Sequence, residues 1–128
     1  MVTYTIDANE RLIRTKCVGH VTLEEVAAHF RDLARDPACP TRLDVLLDLR
    51  SVESLPHRGE LEAVTVELGH LRAKVRFGLC AVVADRPALF GMLRVFEVLA
   101  QDYFTALRVF RDFAEAEAWL ASQRLPVK

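Results

Sequence analysis

The chain has 128 residues, of which 52% are hydrophobic and 27% charged, and its formal net charge is −1. This length is typical of one domain with its own hydrophobic core, and the composition excludes a disordered chain. The lysines and arginines are scattered rather than clustered, which argues against nucleic acid as the main partner. We therefore expect a single domain over residues 1–128.

The N-terminus has no basic stretch followed by an apolar run, and no segment offers the roughly 20 apolar residues of a membrane span. We therefore expect a cytoplasmic location. The three cysteines, Cys17, Cys39 and Cys80, are widely spaced, without a C-x-x-C pair. This spacing favours reduced thiols over a metal site, and no metal or other cofactor is predicted. Cys39, in a loop before Pro40, is expected to be the most exposed of the three.

The N-terminal third of the chain predicts a hairpin followed by a helix. Val2–Ile6 and Leu12–Val18 alternate polar and apolar residues, and the turn residues Asp7–Glu10 join them. Thr22-Leu23-Glu24-Glu25 is a capping box that starts a helix with an apolar stripe at 3.6-residue spacing. Asp36-Pro37 ends this helix, because a residue before proline avoids helical angles.

The remaining elements alternate between strand and helix. In chain order they are a central strand at Leu43–Leu49 covered on both faces, a polar loop at Arg50–Pro56, a helix at His57–Ala73, a strand at Val75–Val83, a helix at Arg86–Ala100, a strand at Leu107–Phe110 and a final helix. Asp85 is expected to cap the third helix, with Pro87 in its first turn, and Asp112 to cap the fourth. The order ββαβαβαβα predicts an α/β fold with a mixed, largely parallel sheet and an N-terminal β-hairpin.

Two segments, Val45-Leu46-Leu47-Asp48-Leu49-Arg50-Ser51-Val52-Glu53 and Phe90-Gly91-Met92-Leu93-Arg94-Val95-Phe96-Glu97, resemble the SpoIIAA-like, or STAS, domains of bacteria. The order of elements is also similar over nearly the whole chain. The resemblance implies a SpoIIAA/STAS-like fold and a non-catalytic regulatory or protein-interaction module.

One departure from the STAS pattern affects the expected mechanism. STAS domains have an Asp-Ser-Ser-Gly motif after the strand that corresponds to Leu43–Leu49, and a serine of that motif is phosphorylated. Counting from Asp48, the corresponding position reads Pro56-His57-Arg58-Gly59, in which only the glycine matches. The resemblance therefore does not extend to the serine phospho-switch.

A ligand or partner of an open α/β sheet is expected beyond the carboxyl ends of the strands. Two helix N-termini with unpaired amides also point to this rim and favour an anion there. The candidate rim residues, for a protein partner or a small anionic ligand, are Asp48, Arg50, Ser51, His57, Arg58, Gly59, Asp85 and Arg86.

Enzymatic activity is not predicted, and no catalytic residue is assigned. The chain lacks G-x-S-x-G, Walker and G-x-G-x-x-G motifs. Of the three functions considered, an enzyme that uses His57 with Asp48 or Ser51 ranks third, after the regulatory module and the carrier described next. His29 and His70 are expected to be surface residues.

The second alternative is a carrier of a small apolar ligand or lipid. The SpoIIAA-like fold is similar to that of Sec14-type lipid-binding domains, and this chain is rich in Leu, Val and Phe. Both the regulatory module and the carrier remain open on the sequence.

The helix at Arg86–Ala100 predicts a homodimer. Its sheet-facing stripe contains Leu89, Leu93 and Phe96, yet its opposite side is also apolar. A second copy is the simplest cover for that side, since two-fold dimers are the commonest oligomers. The alternative is that the C-terminal helix or the 102–106 loop covers it. The candidate interface residues are Phe90, Gly91, Arg94, Val95 and Val98.

Overall fold

The computed structural model describes residues 1–71 and 74–124. The strands are β1 Val2–Asp7, β2 Leu12–Gly19, β3 Arg42–Val52, β4 Arg76–Val83 and β5 Ala106–Phe110. The helices are α1 Leu23–Arg35, α2 Arg58–Leu71, α3 Pro87–Ala100 and α4 Phe113–Gln123, with a 3-10 turn at Gln101–Tyr103. The predicted order ββαβαβαβα is confirmed. The predicted end of the second helix, Ala73, lies outside the described residues.

The strands form a single sheet in the order β1-β2-β3-β4-β5. β1 is antiparallel to β2, whereas β2, β3, β4 and β5 are parallel neighbours. Right-handed crossovers between successive neighbours place all three connecting helices on one face of such a sheet. α1, α2 and α3 accordingly share one apolar cluster with that face, and α4 packs through Ala116 and Leu120 on the other face.

Side-chain caps start two helices where the sequence predicts them. The amide of Glu25 donates to Oγ1 of Thr22, and the amide of Glu115 donates to Oδ1 of Asp112. The expected cap of α3 is wrong by one position. Arg86, not Asp85, is the N-cap residue, because Pro87 already occupies the first helical turn.

The central strand is longer than predicted. β3 reaches Val52, which pairs with Gly19, so the polar loop begins only at Glu53. Arg50 and Ser51 have exposed side chains typical of a loop, but their backbone still follows β2 past a shift in register after Lys16. The hydrophobic pattern ends before the backbone pairing does.

None of the described helices is long and apolar enough to cross a membrane.

Candidate functional site

An apolar cavity of about 140 Å³ lies between the sheet and helices α1, α2 and α3. Its walls include Val26 and Phe30 of α1, Leu61 and Val64 of α2, and Leu89, Leu93 and Phe96 of α3. Its floor is formed by side chains of the strands, among them Val45, Leu47, Leu49 and Cys80. The cavity therefore occupies the centre of the larger apolar cluster.

The helices do not close completely over the middle of the sheet. Val45, Leu47 and Leu49 point toward the helices, yet all three are only half-buried. Side chains on the covered face of a central strand are normally buried completely. Full coverage of β3 on this face was predicted and is wrong, because the helices leave a space above it that reaches solvent.

His29 lies in the cavity wall and is half-buried, so its expected position on the open surface is wrong. Its ring packs against Tyr4 and Phe30, with ring centres 5.1 and 5.4 Å apart. Its Nε2 is 3.4 Å from Oγ1 of Thr15. Burial lowers the pKa of His29 to about 4, partly opposed by the nearby carboxylate of Asp32. The imidazole is therefore neutral at pH 7.

Tyr4 packs behind the part of the cavity wall that His29 forms. Its hydroxyl donates to Oδ2 of Asp36 over 2.7 Å, which links β1 to the end of α1. This hydrogen bond, together with burial, raises the pKa of Tyr4 to about 12. Because the phenol stays protonated at all ordinary pH values, the link holds one side of the cavity in place.

Two of the cysteines line the same cavity. Cys17 and Cys80 are buried and have free thiols, whereas Cys39 is half-buried, so its expected greater exposure is confirmed. Burial raises the pKa of Cys17 to about 11, and it raises that of Cys80 as well. Both therefore remain protonated at pH 7 and add apolar surface rather than reactive thiolates.

The structure divides the eight rim residues among separate places. Asp48 is buried and accepts from Nε and Nη2 of Arg50, 3.0 and 2.9 Å away. Those hydrogen bonds lower the pKa of Asp48. The guanidinium of Arg50 lies 4.4 Å from the ring centre of Phe113, on the α4 side of the sheet. Asp48 and Arg50 thus face away from the cavity.

Arg86 ties down the loop that follows β3. Its Nη1 donates to the carbonyls of Val52 and Ser54, 2.7 and 3.3 Å away. Ser54 in turn joins this loop to the one after β2, because its hydroxyl accepts from the amide of Val21 and donates to its carbonyl. Arg86 and Ser54 therefore both have structural partners beside the cavity.

His57 caps α2. Its Nδ1 accepts from the amide of Glu60, and the carboxylate of Glu60 accepts from the amide of His57. Sequence reasoning placed His57 in the helix and missed this reciprocal cap, although Glu60 stands at the spacing of a capping box.

The other rim residues near α2 and α3 are exposed. Nε of Arg58 donates to Glu62 one turn later, while Gly59 lies against the ring of His57. Ser51 and Asp85 are also exposed. Two of the three rim arginines, Arg58 and Arg86, thus already have hydrogen-bond partners within the chain near the ends of α2 and α3.

The outer side of α3 is only partly covered in the described part of the chain. Val98 is 67% exposed, Gly91 and Arg94 are exposed, and Val95 is half-buried. Phe90 is half-buried beneath the guanidinium of Arg111, 4.6 Å from its ring centre. α4 packs on the opposite face of the sheet, so it cannot supply the cover considered from the sequence.

This sheet, with three helices on one face and one on the other, defines a STAS-type α/β domain. The model of the SpoIIAA-like family matches residues 12–121, and the chain belongs to that family. The matched segment runs from β2 into α4 and includes every cavity wall except β1. Domains of this class are regulatory and protein-interaction modules and are generally non-catalytic. No curated protein shows a match to the chain.

Proposed function

We propose that the protein is a non-catalytic domain that binds a small apolar ligand between its sheet and helices α1, α2 and α3. The observation that carries this proposal is the cavity of about 140 Å³ in the middle of the core. Well-packed interiors contain few voids larger than a water molecule. An enclosed, dry cavity of about 150 Å³ with a similar apolar lining holds benzene. The space here has a similar volume but also opens to solvent, which gives a ligand a way in.

The cavity volume also narrows the ligand class. A space of about 140 Å³ suits one aromatic ring or a short branched chain. The acyl chains of a diacyl lipid would require the helices to move apart. The geometry therefore favours a small ligand, or the apolar end of a larger one, over bulk lipid transport.

Filling the cavity is expected to abolish binding of benzene. Val64 lines the cavity, so Val64→Phe should occupy the space that the ligand needs. Val66 on the same helix is 56% exposed, so Val66→Phe is a matched control. Calorimetric titration should show benzene binding to the native protein and to Val66→Phe but not to Val64→Phe. Equal binding by all three proteins would place the benzene elsewhere.

A second candidate function is a protein-interaction module, which membership of the SpoIIAA-like family supports. We propose that this module works without the serine switch. The hydroxyl of Ser54 is already engaged by both backbone groups of Val21. A phosphoryl group on Ser54 would break these hydrogen bonds, which join the loop after β3 to the loop after β2. We expect intact-mass analysis of protein from its own host to show no phosphate on Ser51 or Ser54. Stoichiometric phosphoserine at either position would contradict this.

We also infer that a second copy covers the outer side of α3. Val98→Glu should convert the protein from dimer to monomer, because it places a charge in the apolar contact between the two copies of α3. Val66→Glu is the control, since Val66 is similarly exposed on α2. Light scattering at high micromolar concentration measures the result. A monomeric native protein, or a dimer that Val98→Glu leaves intact, would refute this interface.

A further inference from the structure

We propose that the cavity selects a small neutral ligand with one hydroxyl group, such as a phenol, and that Thr15 and His29 bind that hydroxyl. This inference rests on the proposed function and specifies the ligand class. It starts from the polar side chains among the otherwise apolar lining: Thr15, Thr22, His29, Ser54 and Glu60.

Three of these polar groups already serve the fold. Thr22 caps α1 through the amide of Glu25, and Ser54 holds both backbone groups of Val21. Glu60 closes the reciprocal cap at the start of α2. None of these three needs a ligand to complete its hydrogen bonds.

Thr15 and His29 differ from the others. Thr15 is 2% exposed, so water reaches it poorly. Within residues 1–71 and 74–124, its hydroxyl has one side-chain contact, at 3.4 Å from Nε2 of His29. That distance is long for a hydrogen bond. A ligand hydroxyl near both atoms would supply the shorter bonds that a buried hydroxyl normally makes. The apolar remainder of the ligand would lie along Val45 and Leu47.

The charge of the lining argues for a neutral ligand. No lysine or arginine is among the described residues that line the cavity. The imidazole of His29 is neutral at pH 7, because burial lowers its pKa. A carboxylate would enter without a counter-charge, into a cavity whose lining already includes the acidic side chain of Glu60. An uncharged hydroxyl pays no such electrostatic cost.

The test compares benzene, phenol and benzoate by calorimetric titration at pH 7. Native protein should bind phenol at least as tightly as benzene and should not bind benzoate measurably. Thr15→Val keeps the side-chain shape but removes the hydroxyl, so it should weaken phenol binding about tenfold more than it weakens benzene binding. Thr15→Ser retains a hydroxyl and should restore the preference for phenol.

The outcomes separate this inference from the proposed function. If benzene binds but phenol binds no better in native protein than in Thr15→Val, the hydroxyl site is refuted and the apolar site stands. Preferential binding of benzoate would overturn the neutral class. If neither benzene nor phenol binds, the proposed function fails, and this inference fails with it.

Discussion

Replacing Gly78 with alanine is expected to destabilise the protein by about 2–4 kcal/mol. A Cβ at this position in β4 would collide with Oδ1 of Asp44 and lie 3.3 Å from the guanidinium of Arg42. Asp44 cannot simply move, because its Oδ1 accepts from the amide of Leu79 over 2.8 Å and its Oδ2 pairs with Arg124. Displacing it leaves a buried amide without a partner.

Gly91→Ala is the matched control for this experiment. Gly91 lies on the exposed side of α3, and nothing lies within 4 Å of an added Cβ. In the monomer, at concentrations too low for the proposed dimer, alanine should therefore stabilise the helix by about 0.5–1 kcal/mol. Urea unfolding of both variants measures the two free energies. A Gly78→Ala variant as stable as the native protein would refute the role of Asp44 as the link between β3 and β4.

Acidification from pH 7 to pH 4.5 is expected to destabilise the protein by about 2 kcal/mol through His29 alone. Burial lowers the pKa of His29 to about 4 in the folded protein, whereas an unfolded histidine takes up its proton near pH 6.5. The unfolded state therefore binds more protons between these two values. The contribution is present above pH 6.5 and is lost as the pH falls toward 4.

The groups that face His29 support the direction of this effect. Tyr4 and Phe30 contribute rings and Thr15 a hydroxyl, while Asp32 favours the proton but is outweighed by burial. The comparison is between native protein and His29→Gln, by urea unfolding at several pH values. Native protein should lose about 2 kcal/mol more than the variant over this range. His70→Gln, at an exposed position, should behave like native protein. Parallel curves for native protein and His29→Gln would contradict the prediction.

The fold could be predicted because its signals are local. The side chains of the capping residues Thr22 and Asp112 each accept a hydrogen bond from the amide three positions later. The turn residues after β1 close a hairpin, with the amide of Glu10 donating to Asp7. Alternation of strands and helices then leaves few topologies, since parallel crossovers are right-handed.

The cavity could not be predicted in the same way. Whether Val45, Leu47 and Leu49 are covered depends on how far the helices lie from the sheet, which no local pattern reports. The run around these residues looks the same for a filled core and for a hollow one. His29 stands at the border of an apolar stripe in the sequence, and only the packing of α1 against β1 and β2 turns it inward.

Contacts between residues far apart in the sequence could not be predicted from the sequence either. No local pattern distinguishes Gly78, since the need for a glycine there comes from Asp44, 34 positions earlier. The rim residues were grouped by their position at strand ends. Adjacent residues along a strand point to opposite faces of the sheet. Leu47 and Leu49 face the cavity, so Asp48 and Arg50, which alternate with them, face Phe113 on the other side.

The central claim is that the space above β3 is a binding site for a small apolar molecule. Its most direct test is a titration of methyl-labelled protein with benzene, followed by two-dimensional NMR. We predict saturable shifts at the methyl groups of Val45, Leu47 and Val64, which line the cavity, with Val98 on the outer side of α3 unchanged. Shifts confined to Val98, or no shifts up to the solubility limit of benzene, would contradict the account.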